Sequence, residues 1–364
     1  MPELMVRKRN AVGANDLSFF YPSTFSEIKH ASAMTTGNIS MIGGGSWATA
    51  LTKVLNENEK VVHWWLRDAA AVENLITRHN NPNYLSSVDF NPAYILPSDD
   101  LKRTMAAAEI VFLAVPAAFL KQALQPLDAA DLRNKIVVSA IKGMIPGDNL
   151  LIADYMHRFF EVPLENSVII SGPCHAEEVA LEKLSYLTLA CQRSDYAGLI
   201  CDLLRCRYIR CTPSDDIYGT EYGAVLKNIY ALTAGICHGL GYGDNFQAVL
   251  ISNAIEEMER FVKAVHPITR DIKDSAYLGD LMVTAYSQFS RNRTFGNMIG
   301  KGYSVKAVLL EMNMIAEGYN AAKCIHEVNK QLQVDLLIGE ATYRILYEGA
   351  DARETIAKMS EGLS

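Results

Sequence analysis

Residues 39–51 read ISMIGGGSWATAL. A short apolar run, Ile39 to Ile42, meets three consecutive glycines, and small helix-favouring residues come next, so the stretch spells strand, turn, helix. In that setting Gly43 permits a tight turn and Gly45 lets the backbone approach a diphosphate. The helix N-terminus, entered through Ser46 and Trp47, stabilises the charge. Ala48 stands at the third glycine position, a variant in which helix and strand pack slightly further apart. A purely structural turn has the same local signature, so the rest of the chain has to decide.

The chain of 364 residues exceeds one average hydrophobic core, which predicts two domains. A formal charge of −7 gives no basic field for nucleic acid, and the one Lys/Arg block is Arg7-Lys8-Arg9. An anionic metabolite then needs a local positive site. No apolar run approaches the ~20 residues that span a bilayer, and the first 35 residues lack a secretory hydrophobic segment, so no membrane insertion and a cytoplasmic location are expected. Seven cysteines, an odd number without a C-x-x-C pair, suit reduced thiols; neither a disulfide framework nor a metal site is expected. Residues 1–37 are irregular and unlike the remainder of the chain, and are expected to form a tail without catalytic role, Met34 being a candidate start.

From Asn38 onward β-rich runs alternate with helical stretches. Strands are predicted at 39–42, 61–66, 110–115, 136–141, 168–171, 184–189 and 207–211. Most are continuous apolar runs, as in parallel sheets covered on both faces, which predicts a doubly wound, mostly parallel α/β domain over 38–213. After Pro213 the strand signal stops. Helices are predicted at 218–237, 245–265, 304–312, 316–332, 336–347 and 353–360, giving an all-α domain over 214–364.

Several constellations carry chemistry. Between Glu221 and Asp244 the only permanently charged side chain is Lys227, on a helix apolar on nearly every face. Burial of an ammonium there lowers its pKa toward neutrality, which suits general acid/base work; snorkelling to water or a structural ion pair is the bland alternative. Asn228 is placed to hydrogen-bond a substrate hydroxyl or carbonyl. Lys142 comes directly after the run 136–141, at the strand end where open α/β sheets bind ligands. The run VIISGPCHAEEVA, 168–180, repeats the arrangement with a Gly172-Pro173 turn. Its Cys174-His175 pair suggests a thiol protease, but adjacent side chains seldom face each other productively and no oxyanion hole is apparent. His238 is read as structural.

In YLGDLMVTAYSQFSRNRTFGNMIGKG, 277–302, Ser290, Arg291 and Asn292 form a donor cluster suited to a phosphate, and Asp280 is an acid in an apolar setting able to orient an ammonium. N-caps and a surface basic turn explain the same residues taken singly. At the end of the second strand no acid stands where a ribose-reading carboxylate is expected. Arg67 instead offers a partner for a 2′-phosphate or an adenine stack, or stays solvated, while Asp68 is within reach of a ribose.

Taken in order, GGGSWATAL, IKG, SGPCHAEEV, GAVLKN, LGDLMVT, SRNRTFG and AEGYNAAK resemble the NAD(P)-dependent glycerol-3-phosphate dehydrogenases of the bacterial type, from Ile39 to the C-terminus. The resemblance implies a Rossmann domain, a helical domain of the 6-phosphogluconate dehydrogenase type and a site between them. It implies NAD or NADP as cofactor, and reversible reduction of dihydroxyacetone phosphate to sn-glycerol 3-phosphate for glycerophospholipid synthesis. Lys227 would be the proton donor/acceptor, with Lys142, Asn228, Asp280 and Thr284 around the reacting carbon. Ser290, Arg291 and Asn292, with Lys142, Lys227, Asp280, Gly172 and Cys174, would hold the substrate. Gly43, Gly45, Ser46, Trp47, Ala48, Arg67, Lys142, Ala176, Arg291, Ile315 and Glu317 would hold the cofactor. The chain departs from the family pattern at Cys174-His175, commonly Thr or Ser then Phe, at IKG for TKG, and at Ser252-Asn253 for Arg-Gly. A related β-hydroxyacid or 6-phosphogluconate type dehydrogenase shares the two-domain plan, and the SRN cluster argues for a small phosphorylated triose instead. A catalytically silent NAD(P)-binding sensor would bind cofactor without turnover. A homodimer is the base-rate expectation.

Overall fold

The computed structural model describes residues 38–312 and 316–364; the expected tail and Ile315 lie outside the described residues. Eight strands form one sheet: β1 (Ile39–Ile42), β2 (Val62–Trp65), β3 (Ile95–Ser98), β4 (Ile110–Leu113), β5 (Ile136–Ser139), β6 (Ser167–Ser171), β7 (Ser185–Ala190) and β8 (Ile209–Ser214). Their order is β3-β2-β1-β4-β5-β6-β7-β8, and every pair is parallel except β6 with β7. Seven of these were expected from sequence. The eighth, β3, is an edge strand with Pro97 and an exposed Leu96, so it carries no buried apolar run.

The period-2 geometry of strands sorts the apolar residues onto two faces. Met41, Trp64, Phe112 and Val138 pack into one core, while Ile42, Trp65, Val111, Leu113 and Val137 pack into another on the opposite face. Both faces are covered, which is why β1, β4, β5 and β6 are buried throughout. The chain runs outward from β1 to β3 and then returns to place β4 on the other side of β1. That switch point opens a crevice at the strand carboxyl ends, and the glycine loop lies in it.

Beyond β8 the described residues are helical. The helix Ile217–Gly239 is buried along nearly its whole length, and the helices Asp244–Val265, Asp280–Tyr286, Arg291–Gly300, Glu317–Leu332 and Leu337–Tyr347 pack around it. A helix apolar all round needs this covering on every side. Its contact with Arg291–Gly300 is backbone to backbone. A Cβ on Gly235 would overlap the Arg293 carbonyl oxygen, and one on Gly296 would overlap that of Leu232. Glycines four apart on each helix, 235/239 and 296/300, therefore let the two helices run parallel in close register. That register sets residue 292 against residue 228.

The candidate active site

The glycine loop is held from three directions. Gly43 has φ +125°, and a Cβ there would stand 2.6 Å from the Ala114 carbonyl oxygen, so only glycine fits. The buried Trp64 indole donates to the Gly43 carbonyl at 2.7 Å, and Asn81 Nδ2 donates to the Gly44 carbonyl at 3.0 Å and to Thr49 Oγ1 at 2.8 Å. Gly45 is extended and precedes the helix Ser46–Glu57 without any side-chain cap, and nothing lies within 4 Å of where its Cβ would project. An uncapped helix end beside open space presents unpaired N–H groups to an anion.

This loop forms part of the wall of a cavity of about 1410 Å³. Sixteen of the residues expected from sequence line it together: Gly43, Gly45, Ser46, Trp47, Arg67, Lys142, Cys174, Ala176, Lys227, Asn228, Asp280, Thr284, Ser290, Arg291, Asn292 and Glu317. The volume exceeds that of an ordinary single-ligand pocket and suits a dinucleotide with a small second molecule.

At one part of the wall two lysines share one carboxylate. Lys227 Nζ donates to Asp280 Oδ1 and to Thr284 Oγ1 (2.9 Å), and Lys142 Nζ donates to Asp280 Oδ2 (2.9 Å) and to the Gly172 carbonyl (3.0 Å). Thr284 Oγ1 in turn donates to the Asp280 carbonyl at 2.6 Å. A π-helical turn, Ser275–Gly279, delivers Asp280 to this position at the start of its helix. Burial lowers Lys227 from 10.5 to about 7; the Asp280 charge opposes that fall and the Lys142 charge adds to it. For Asp280 burial acts upward, but the two ammonium groups outweigh it and hold the carboxyl below its ordinary range. Lys227 is thus a buried amine held near neutrality, with its orientation fixed by two partners.

Some expected contacts are replaced by protein ones. The Asn228 amide donates to the Lys142 carbonyl at 2.8 Å and accepts from Asn292 Nδ2 at 2.8 Å, and Asn292 Oδ1 accepts from the Gly318 N–H at 2.9 Å. These two side chains tie the Lys142 backbone to the two helices and to Gly318. Gly172 and Ala48 do not line the cavity. Gly172, at φ +111°, reaches it only through Lys142 and Asp280, and Ala48 is buried in the first turn of its helix, packing in the sheet core. Asp68 caps the helix Ala69–Arg78 by accepting from the Ala70 N–H at 3.0 Å, while Arg67 is exposed on the cavity wall. Ser290 caps Arg291–Gly300 through the Arg293 N–H at 3.2 Å. Burial raises the Cys174 thiol to about 12, so it is not a nucleophile.

Glu317 Oε1 accepts from the Ala117 N–H at 3.0 Å, while its Oε2 and the Trp47 Nε1 are buried without protein partners on the same wall. Burial raises the Glu317 carboxyl to about 7. Sequence reading gave Trp64 and Asn81 no role and weighed His175 only as a partner for the neighbouring thiol. The first is hidden as a strand hydrophobe; the second, in the turn-forming run Asn80-Asn81-Pro82, had a loop signal and no indicated partner.

A lysine held near neutrality in the same cavity as an anion-receptive glycine loop fits the nicotinamide-dependent oxidoreductases, whose reaction moves a hydride and a proton. Comparison with known proteins narrows that class. Residues 38–197 match the N-terminal part of the NAD-dependent glycerol-3-phosphate dehydrogenases, and residues 216–357 match their C-terminal part. A glycerol-3-phosphate dehydrogenase [NAD(P)+] of Bacillus thuringiensis is 34% identical over 326 residues, covering 88% of this chain and 94% of that relative. The enzyme of the same name from an Exiguobacterium is 34% identical over 323 residues with the same coverage. The crystal structure of glycerol-3-phosphate dehydrogenase from Coxiella burnetii superposes with a TM-score of 0.83 at 26% identity, covering 89% of this chain and 98% of that one. The chain belongs to the NAD-dependent glycerol-3-phosphate dehydrogenase family.

Among the described residues no helix is long and apolar enough to cross a membrane.

Proposed function

We infer that the chain is an NAD(P)-dependent sn-glycerol-3-phosphate dehydrogenase that reversibly reduces dihydroxyacetone phosphate and so supplies glycerol 3-phosphate for glycerophospholipid synthesis. The observation that carries this reading is the convergence of Lys227, Arg291 and the Gly43–Trp47 loop on one cavity.

The residues present fit a dinucleotide. Gly45 opens toward the cavity, the helix after it is uncapped, and Trp47 Nε1 and Glu317 Oε2 await partners there. Ser46 and Ala176 would approach it through backbone, and Arg67 would lie at its adenosine end. A reduced nicotinamide held there would supply the hydride for the C2 carbonyl carbon. Lys227 then gives its proton to the C2 oxygen as charge develops there, Asp280 and Thr284 holding the ammonium on course. Lys142 keeps a second positive charge at the same carboxylate and favours the growing alkoxide. Arg291 and Ser290 hold the phosphate, an Arg fork matching its oxygens. In glycerol 3-phosphate oxidation neutral Lys227 accepts the hydroxyl proton.

We take 38–213 as the cofactor part and 214–364 as the substrate part, and propose a cytoplasmic homodimer on the prevalence of two-fold assemblies. The test is turnover of the purified chain with dihydroxyacetone phosphate and each reduced cofactor, beside 6-phosphogluconate and β-hydroxy acids with each oxidised one. Reduction of the triose phosphate alone is the expected result. Turnover confined to a hydroxy acid would reassign the substrate, and cofactor binding without turnover would make the chain a sensor.

A further inference from the structure

His175 lines the cavity that Lys227, Asp280, Phe289, Ser290 and Arg291 also line, its ring centroid 6.2 Å from that of Phe289. It occupies the N-cap position of the helix Ala176–Ala180, yet its side chain makes no capping bond there. The Val283 backbone lies beside the ring, while Nε2 is buried and has no protein hydrogen-bond partner. In the neutral tautomer protonated at Nδ1, Nε2 carries a bare lone pair. Burial, followed by the ammonium charges of Lys227 and Lys142, holds the imidazole at about 4, so it is a neutral acceptor.

Buried polar atoms are seldom left without a partner, and His175 stands on a ligand-cavity wall, where a ligand can supply one. That partner must be a donor. A phosphate dianion and a ketone oxygen offer none, whereas the free hydroxyl of a triose does. The neighbours of the ring, Val283 and Phe289, come from the segment that leads into Ser290 and Arg291, which places it at the substrate end.

We propose that His175 accepts a hydrogen bond from the C1 hydroxyl of dihydroxyacetone phosphate, making the site selective for a hydroxymethyl ketone over a methyl ketone. This rests on the substrate assignment above. A site built to bond a hydroxyl discriminates against the analogue that lacks it, because its own buried group is then left unpaired.

The experiment compares kcat/KM for dihydroxyacetone phosphate and for hydroxyacetone phosphate, which lacks that hydroxyl, in the wild type, His175→Phe and His175→Gln. The wild type should prefer the hydroxylated substrate. His175→Phe should cut that preference about tenfold by slowing dihydroxyacetone phosphate alone, and His175→Gln, whose amide oxygen accepts, should restore part of it. NADH affinity, read by fluorescence titration, should stay unchanged in both variants. A fall of equal size for both ketones, as a structural role would give, overturns the proposal. So does weakened NADH binding with the preference intact, which would assign Nε2 to the nicotinamide carboxamide. A wild type that reduces neither ketone removes the substrate assignment itself, and the proposal with it.

Discussion

Lys227→Met separates the cost of the buried ammonium to the fold from its part in the reaction. The folded chain holds Lys227 at about 7, against an ordinary value of 10.5. Between those values the unfolded chain carries a proton that the folded chain has released, so wild-type stability rises with pH across this window. The slope is about 1.4 kcal/mol per pH unit, and the whole interval contributes about 5 kcal/mol. Methionine removes that contribution. It does not strand Asp280, which keeps Lys142 at 2.9 Å. Urea unfolding at pH about 7, 8 and 9 would measure both proteins, and other titrating groups cancel in the difference between them. That difference should grow by about 1.4 kcal/mol per pH unit in favour of the wild type. A difference flat with pH would refute the reasoning, because Lys227 would then keep its proton in the folded chain. The same proton sets the kinetics. Wild-type kcat/KM for ketone reduction should fall as pH rises through about 7, that for alcohol oxidation should rise through it, and Lys227→Met should lose both limbs along with turnover.

Arg67→Ala should weaken NADPH about tenfold or more while leaving NADH nearly unchanged, as fluorescence titration of each would read; equal losses would make Arg67 an adenine stack instead. Gly43→Ala forces a Cβ onto the Ala114 carbonyl at φ +125°, so NADH affinity should collapse while far-ultraviolet circular dichroism stays native in shape. Gly296→Ala drives a methyl group into the Leu232 carbonyl oxygen and should destabilise the chain by about 1–3 kcal/mol in chemical denaturation. Because the same helix carries Arg291 and Asn292, kcat/KM should drop with it even where the protein stays folded, and an active, fully stable variant would show that the two helices can part at no cost.

The sheet was legible where burial on both faces forced continuous apolar runs, as in β1, β4 and β5, and illegible at β3, where an edge position relieved the sequence of that constraint. Lys227 was legible because a lone charge on an apolar helix has few explanations. Asp280 was legible as an acid able to orient an ammonium; its sharing between Lys227, 53 residues before it, and Lys142, 138 residues before it, was not. Asn228 and Asn292 looked like substrate donors singly. Only the register of two helices shows them bonded to each other, and the signal that would have found it was present as glycines four apart in GICHG and GNMIG. His175 was weighed against the thiol beside it in sequence, whereas its working neighbours come from residues 283 and 289. Side-chain chemistry gives what a group can donate or accept, and only packing decides which protein groups it meets. Asn228 and Asn292 line the cavity with carboxamides already tied to the Lys142 carbonyl, to each other and to Gly318, whereas His175 Nε2 has no protein partner.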